Sequence, residues 1–133
     1  MIVATSAQKT VLVIEDDPWT RTITTALLAG EGFAVVEAKN GEEGLTKARK
    51  HAPDAILLDL ALPTKSGLEV LRELKGDGST DAIPVIIVSA YGTLMSEQDA
   101  HQAVGVIQKP FDYDDLVGQV ERATDRTLAV ALI

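Results

Sequence analysis

The sequence predicts a three-layer α/β fold in which five parallel strands form a doubly wound sheet with five helices on its two faces. Five short runs rich in valine and isoleucine alternate with longer segments of helical periodicity. This alternation is typical of βαβ units joined by right-handed crossovers. The first, third and fourth runs are almost continuously apolar, as strands covered on both faces are. With 133 residues, one domain can bury a substantial core.

The predicted strands are 10–15, 33–38, 54–60, 84–90 and 105–108. The second strand carries Glu37 and runs into a polar segment, which favours a position near the edge of the sheet. The predicted helices are 18–31, 41–51, 66–76, 93–103 and one that starts near Asp112. The third helix is expected to begin at Ser66 and to stop at Gly76.

The first helix has the clearest start signal. Pro18 suits the first helical position, and Asp17 before it is most simply the N-cap, although it could also ligate a metal. Helical spacing predicts that the core side of this helix is formed by Ile23, Ala26, Leu27 and Gly30.

Composition excludes several classes of function. The net charge of −8 makes direct nucleic-acid or anionic-membrane binding by this domain a poor fit. The absence of cysteine excludes disulfides, thiolate catalysis and Cys-ligated zinc. No apolar run approaches the ~18 residues of a membrane span, and residues 1–10 do not resemble a secretory signal. The cytoplasm is therefore the expected compartment.

Polar residues follow the predicted strands at their carboxyl ends, where the site of a parallel α/β sheet is expected. Glu15 and Asp16 follow the first strand, Asp59 the third, Ser89 the fourth and Lys109 the fifth. Converging carboxylates repel one another unless a cation lies among them. A hard divalent ion such as Mg²⁺ prefers oxygen ligands. The sequence thus predicts a shared metal at this edge, with the lysine paired to Asp59 or to an anion attached there.

These residues carry a resemblance to a known family. The acidic pair Glu15-Asp16 follows the first strand, and Asp59 stands 43 residues later in "LLDLALP", which runs into "LPTKSG". "VIIVSA" then ends in Ser89-Ala90, and "QKPF" contains Lys109-Pro110. Taken in this order and spacing, the motifs resemble the response-regulator receiver domain of two-component systems (CheY-like). The resemblance covers about residues 10–126 and implies a flavodoxin-like strand order of 2-1-3-4-5, the order found in chemotaxis receivers.

The resemblance implies a role for each site residue. Asp59 would accept a phosphoryl group from a histidine kinase or phosphotransfer protein, and Mg²⁺ (or Mn²⁺) would be held by Asp59, Asp16, Glu15 through water, and the Ala61 backbone carbonyl. Ser89 and Lys109 would contact the phosphoryl group, and a cis Lys109–Pro110 peptide is expected. Ala90, Val106 and Pro110 would lie in the switch region, and the output would pass to an unidentified protein or domain.

The chain departs from the family in two ways near the switch region. Val106 stands three residues before Lys109, where the family usually has an aromatic side chain. Lys109 also comes only 20 positions after Ser89. The spacing indicates a trimmed fourth helix or a shortened turn. Tyr91 or Tyr113 could replace the aromatic, although a surface tyrosine is more often a packing or interface residue.

Three other functions compete with the phosphorylated switch. A Mg²⁺-dependent phosphohydrolase with Asp59 as nucleophile would need a second acid two residues on as general acid, but Ala61 stands there. A receiver-like binding module that is never phosphorylated would not need the intact acceptor set. A flavin or dinucleotide binder would need a glycine-rich turn after the first strand, where "EDDPW" stands.

The expected organisation is an extension over 1–9, the receiver over 10–126 and a segment over 127–133. The apolar "TLAVALI" of that segment could extend the last helix, form a dimer contact, begin a linker or fray as a terminus. A dimer through the fourth helix, fifth strand and fifth helix is a further expectation from the resemblance.

Overall fold

The computed structural model describes residues 8–90 and 95–125, which form five strands and five helices in strict alternation. The elements are β1 (Thr10–Ile14), α1 (Pro18–Gly30), β2 (Ala34–Ala38), α2 (Gly41–His51), β3 (Ala55–Asp59), α3 (Gly67–Gly76), β4 (Val85–Ser89), α4 (Glu97–Gln102), β5 (Gly105–Gln108) and α5 (Tyr113–Thr124). All four strand pairings are parallel, and the order is β2-β1-β3-β4-β5. The predicted fold and strand order are confirmed, and β2 lies at an edge.

The sheet divides the apolar core into two layers. Because side chains alternate along a strand, Leu12 and Ile14 of β1 pack on the α2–α3 side, whereas Val11 and Val13 pack on the α1–α5 side. Every residue of β3 and β4 is buried. Burial on both faces explains why these strands read as continuous apolar runs in the sequence.

Each helix begins with a polar cap whose side chain accepts a backbone N–H bond. Asp17 accepts from the Thr20 amide at 2.8 Å, which confirms it as the N-cap of α1. Ser66 is likewise the cap of α3, so the helix itself begins one residue later than predicted. The other caps are Asn40, Ser96 and Asp112.

The predicted core face of α1 is wrong for three of its four residues; only Leu27 packs against the core, where it is partly buried. The buried residues of this helix are Thr24 and Leu28, whereas Ile23 is 37% exposed and Ala26 and Gly30 face solvent. The Thr24 hydroxyl donates to the Thr20 carbonyl at 2.8 Å, so its polar group is satisfied inside the helix and its methyl can enter the core. A pattern that counts only apolar residues cannot find this rotation of the helix.

The described part of α4 is also shorter than predicted. Residues 91–94 lie outside the described part, and α4 begins after its cap, Ser96, and ends at Gln102. The backbone at Ala103 is already extended, and the Val104 amide donates to the Val85 carbonyl at 2.8 Å. The helix ends there because the chain must pair with β4.

Two expectations about the chain ends lie outside the described residues. They concern the extension over 1–9, of which only residues 8 and 9 are described, and the apolar segment 127–133. Across the described ranges, no helix combines the length and apolarity that a bilayer crossing needs.

Candidate metal and acceptor site

The carboxyl ends of four neighbouring strands bring the predicted site residues to one edge of the sheet. Asp59 and Ser89 are the last residues of β3 and β4, and Glu15 and Lys109 come directly after β1 and β5. The register places Asp59 beside Val88, and Ser89 is the next residue of β4. Parallel pairing therefore assembles residues that are up to 94 positions apart in sequence.

Lys109 is the partner of two buried acids. Its Nζ donates to Glu15 Oε1 at 2.7 Å and to Asp59 Oδ2 at 3.1 Å. Glu15 and Asp59 are each only 4% exposed. Burying an unpaired carboxylate is costly, so the ammonium is what permits both acids to lie at the sheet edge.

Backbone amides orient the remaining oxygens of the same two acids. The Asp17 amide donates to Glu15 Oε2 at 3.1 Å, and the Ala61 amide donates to Asp59 Oδ1 at 3.0 Å. Each carboxylate is thus held at both oxygens, one by the lysine and one by the loop that follows it.

Burial and electrostatic attraction act in opposite directions on the pKa values of Glu15 and Lys109. Burial raises the pKa of Glu15, although its hydrogen bonds from Lys109 and the Asp17 amide oppose the rise. Burial alone would lower the pKa of Lys109, but its hydrogen bonds and its attraction to Glu15 and Asp59 outweigh that effect, and the pKa is raised. The lysine is therefore held as a cation at neutral pH.

A third acid completes a set of donors that fits a hard cation. Glu15, Asp16 and Asp59 each offer a carboxylate oxygen, and the three oxygens lie within 4.8 Å of one another. Asp16 is exposed, in contrast to the other two. Three carboxylates and one ammonium leave a formal charge of −2 at the edge. This all-oxygen, doubly negative arrangement suits a partly hydrated divalent ion such as Mg²⁺.

Gly67 allows α3 to begin directly against the backbone of Asp59. A Cβ at this position would lie 2.3 Å from the Asp59 carbonyl oxygen and 2.5 Å from the Leu60 Cα. The Gly67 amide also donates to the Leu60 carbonyl at 3.0 Å. Because backbone atoms cannot move aside as a flexible side chain can, only glycine fits here without displacing the loop.

The predicted switch residues are spread over the same edge and its rim. Ser89 is buried, and its carbonyl accepts the Lys109 amide at 2.7 Å. Ala90 is exposed, and Val106 is 47% exposed on β5. The Lys109–Pro110 peptide is cis, which confirms that prediction.

Of the two tyrosines considered as replacements for the missing aromatic, only Tyr113 lies among the described residues. Tyr91 lies outside the described residues. The Tyr113 hydroxyl hydrogen-bonds Glu31, which caps the C-terminus of α1. Tyr113 is therefore tied to the α1 side of the molecule.

Sequence reasoning missed Arg21, which contacts the backbone of the acidic pair. Its Nη1 donates to the Glu15 carbonyl at 2.8 Å and to the Asp16 carbonyl at 3.3 Å. An arginine on the first turns of an amphipathic helix is ordinarily a solvated residue, so no pattern pointed to this contact.

Comparison with known proteins decides the family. The family model of the response regulator receiver domain matches residues 11–121. The chain belongs to this receiver family. Its place is therefore in phosphorelay signalling.

Curated relatives agree. The chain is 38% identical over 94 residues to the polar-differentiation response regulator DivK of Brucella anthropi. The aligned region covers 71% of this chain and 76% of the relative. It is 35% identical over 103 residues to protein PilH of Pseudomonas aeruginosa, with 77% and 81% covered.

Solved structures share the fold. A putative response regulator from Chloroflexus aurantiacus superposes with a TM-score of 0.83 at 27% identity, covering 90% of this chain and 100% of that one. The receiver domain of a sensor histidine kinase from Pseudomonas aeruginosa superposes with a TM-score of 0.80 at 26% identity, covering 89% and 98%. That structure has a magnesium ion coordinated in its active-site cleft.

Proposed function

We propose that this receiver accepts a phosphoryl group on Asp59 from a histidine kinase or phosphotransfer protein and that the modified domain then controls a partner. The observation that carries the proposal is the pairing of the buried Asp59 carboxylate with the Lys109 ammonium, beside two further acids. A carboxylate at the edge of the sheet with an ammonium beside it can act as a nucleophile.

The transfer step is a displacement at phosphorus. An Asp59 carboxylate oxygen forms the new P–O bond while the P–N bond to the donor imidazole breaks, and the imidazole leaves with that electron pair. Such a transfer depends mainly on in-line positioning and on cations near the phosphoryl oxygens. Lys109 would supply one of these cations, and the Ser89 hydroxyl would hydrogen-bond a phosphoryl oxygen.

A divalent metal fits beside the acceptor. Asp16 and Asp59 would hold it directly, with Glu15 through water and the Ala61 carbonyl as a further ligand. Bound Mg²⁺ or Mn²⁺ would supply positive charge to the oxygens of the transferring group. The donor oxygens within 4.8 Å of one another support this arrangement, as does the magnesium found in a related receiver.

Phosphorylation would add negative charge and strong acceptor oxygens at Asp59. Ser89, Ala90 and the segment that carries Val106 and Pro110 would respond to it.

Val106 and the neighbouring Val104 are each close to half exposed, which supports a dimer through α4, β5 and α5. Sedimentation with and without phosphorylation tests that contact. Location in the cytoplasm and the domain limits 10–126 stay predictions.

The acceptor is tested by intact-mass measurement after incubation with acetyl phosphate and Mg²⁺. The wild type is expected to gain one phosphoryl group, and Asp59→Asn none. Asp54→Asn is the matched control because Asp54 precedes the same strand and accepts the Thr10 amide at 2.7 Å, a role that asparagine can keep. An unmodified wild type with every donor tried would favour a binding module that is never phosphorylated.

A further inference from the structure

Arg21 on α1 contacts the backbone of the acidic pair from behind the site. Its side chain is only 19% exposed, and one nitrogen, Nη1, serves the carbonyls of both Glu15 and Asp16. Glu15 is almost fully buried, so its carbonyl has little access to water. A buried carbonyl requires a partner, and the guanidinium provides one.

A second set of contacts holds the guanidinium in place. Arg21 Nε lies 3.8 Å from Glu37 Oε1 on β2. The other carboxylate oxygen of Glu37 accepts the Thr25 hydroxyl at 2.5 Å, and its backbone carbonyl accepts Lys47 Nζ at 2.6 Å. Glu37 is thus fixed by α1 and α2, and Arg21 spans from this edge strand to the loop that carries the metal ligands.

We propose that Arg21 is a positioning residue for the metal site, acting through the backbone of Glu15 and Asp16. It ties both carbonyls to the α1 side, and the peptide geometry of this loop sets the direction in which the two carboxylates leave the backbone. The inference rests on the proposed metal site. Residues that orient ligands in this way commonly change metal affinity by about 10- to 100-fold when they are removed.

Charge and positioning predict opposite effects of removing Arg21. A guanidinium near the acids repels a divalent cation, so its charge alone weakens metal binding, and its removal would tighten binding. Loss of the two carbonyl contacts would instead free the loop and weaken binding. The sign of the change in Kd therefore distinguishes a positioning role from a purely electrostatic one.

The experiment is a calorimetric titration of the unphosphorylated protein with Mg²⁺ alone, on wild type, R21Q, R21K and R49Q. R21Q is expected to raise the Kd about tenfold. R21K keeps the charge but loses the planar fork that reaches the carbonyls and Glu37 together, so it should lie between R21Q and wild type. R49Q is the matched control because Arg49 forms its ion pair with Asp77, away from the site, and its Kd should equal that of the wild type.

A second readout is the carbonyl ¹³C shift of Glu15 and Asp16 in metal-free protein, which should move in R21Q and R21K but not in R49Q. A Kd for R21Q equal to or below the wild-type value overturns the proposal. If R21Q does not fold, an unchanged Kd for R21K overturns it. A wild type that binds no Mg²⁺ would instead contradict the metal part of the proposed function, so the two failures are distinguishable.

Discussion

Replacement of Lys109 by methionine tests whether the ammonium is what stabilises the two buried acids. Lys109→Met keeps much of the side-chain volume but leaves Glu15 and Asp59, each 4% exposed, without their cation. Breaking a buried pair by removing one partner costs about 3–5 kcal/mol. Because Lys109 is itself 21% exposed, we expect a loss near the lower value, about 3 kcal/mol at pH 7 without metal. That loss leaves most domains of this size folded.

The loss should depend on metal and on pH. A divalent ion can replace the missing charge, and at a hundredfold excess over Kd binding contributes about 2.7 kcal/mol. The mutant has no competing ammonium and should gain more from Mg²⁺ than the wild type does. The raised pKa of Lys109 means that its contribution is complete below its unfolded value of 10.5 and is lost only as the pH rises through the folded value. Between pH 7 and 5 Lys109 therefore stays charged, and its own titration should not change the difference in unfolding free energy between wild type and mutant.

Urea unfolding followed by circular dichroism, in EDTA and in excess Mg²⁺, measures these differences. Lys65→Met is the matched control because Lys65 is also 21% exposed and also pairs with two acids, but those acids, Glu42 and Glu73, are 72% and 42% exposed. Exposed pairs contribute about 0–1 kcal/mol, so the control should lose little. A Lys109→Met loss no larger than that of Lys65→Met, or one that ignores Mg²⁺, would refute the reasoning.

Three further predictions separate the roles of the neighbouring residues. Asp17→Ala should cost ~1 kcal/mol with or without Mg²⁺, as loss of a helix cap does, whereas Asp16→Ala should abolish the rise in melting temperature with Mg²⁺; the reverse pattern would mean that the carboxylates are wrongly assigned. Glu15→Gln should stabilise the metal-free protein at pH 7. Folding raises the pKa of Glu15, so the stability that Glu15 contributes is complete below pH 4.5 and is lost as the pH rises through its folded pKa. Thermal melts from below pH 4.5 to pH 7 check this, and a mutant whose stability follows pH as the wild type's does would contradict it. Gly67→Ala should lower both stability and phosphorylation, since its Cβ meets the Asp59 carbonyl, and a fully active, equally stable variant would show that the loop yields freely.

The sheet was predictable because its signal is local and repeated. Every predicted strand matches an observed strand to within one residue at each end, and 105–108 matches β5 at both ends. Burial on both faces leaves little choice of residue type in β3 and β4, so periodicity and composition agree there. The gathering of Glu15, Asp59 and Lys109 at one edge also followed, because parallel strands end on the same side.

The missed features depend on polar contacts between distant residues. Thr24 is buried because its hydroxyl bonds within α1. Asp99 of α4 is buried because Arg72 of α3 donates to both of its carboxylate oxygens, at 3.2 and 2.8 Å, across 27 residues of sequence. Arg21 belongs to the same class. Each polar side chain looks like a surface residue until the fold supplies its partner, and periodicity does not encode that pairing.

Mapping the phosphorylated residue tests the central claim most directly. The protein is incubated with acetyl phosphate and Mg²⁺, reduced with borohydride, which converts an aspartyl phosphate to homoserine, and digested for peptide mass spectrometry. The proposed site predicts homoserine at Asp59 and at neither Asp16 nor Asp17, with no conversion when EDTA replaces Mg²⁺. Homoserine at Asp16 or Asp17 with Asp59 unmodified, or equal conversion in EDTA, would contradict a metal-dependent acceptor at Asp59.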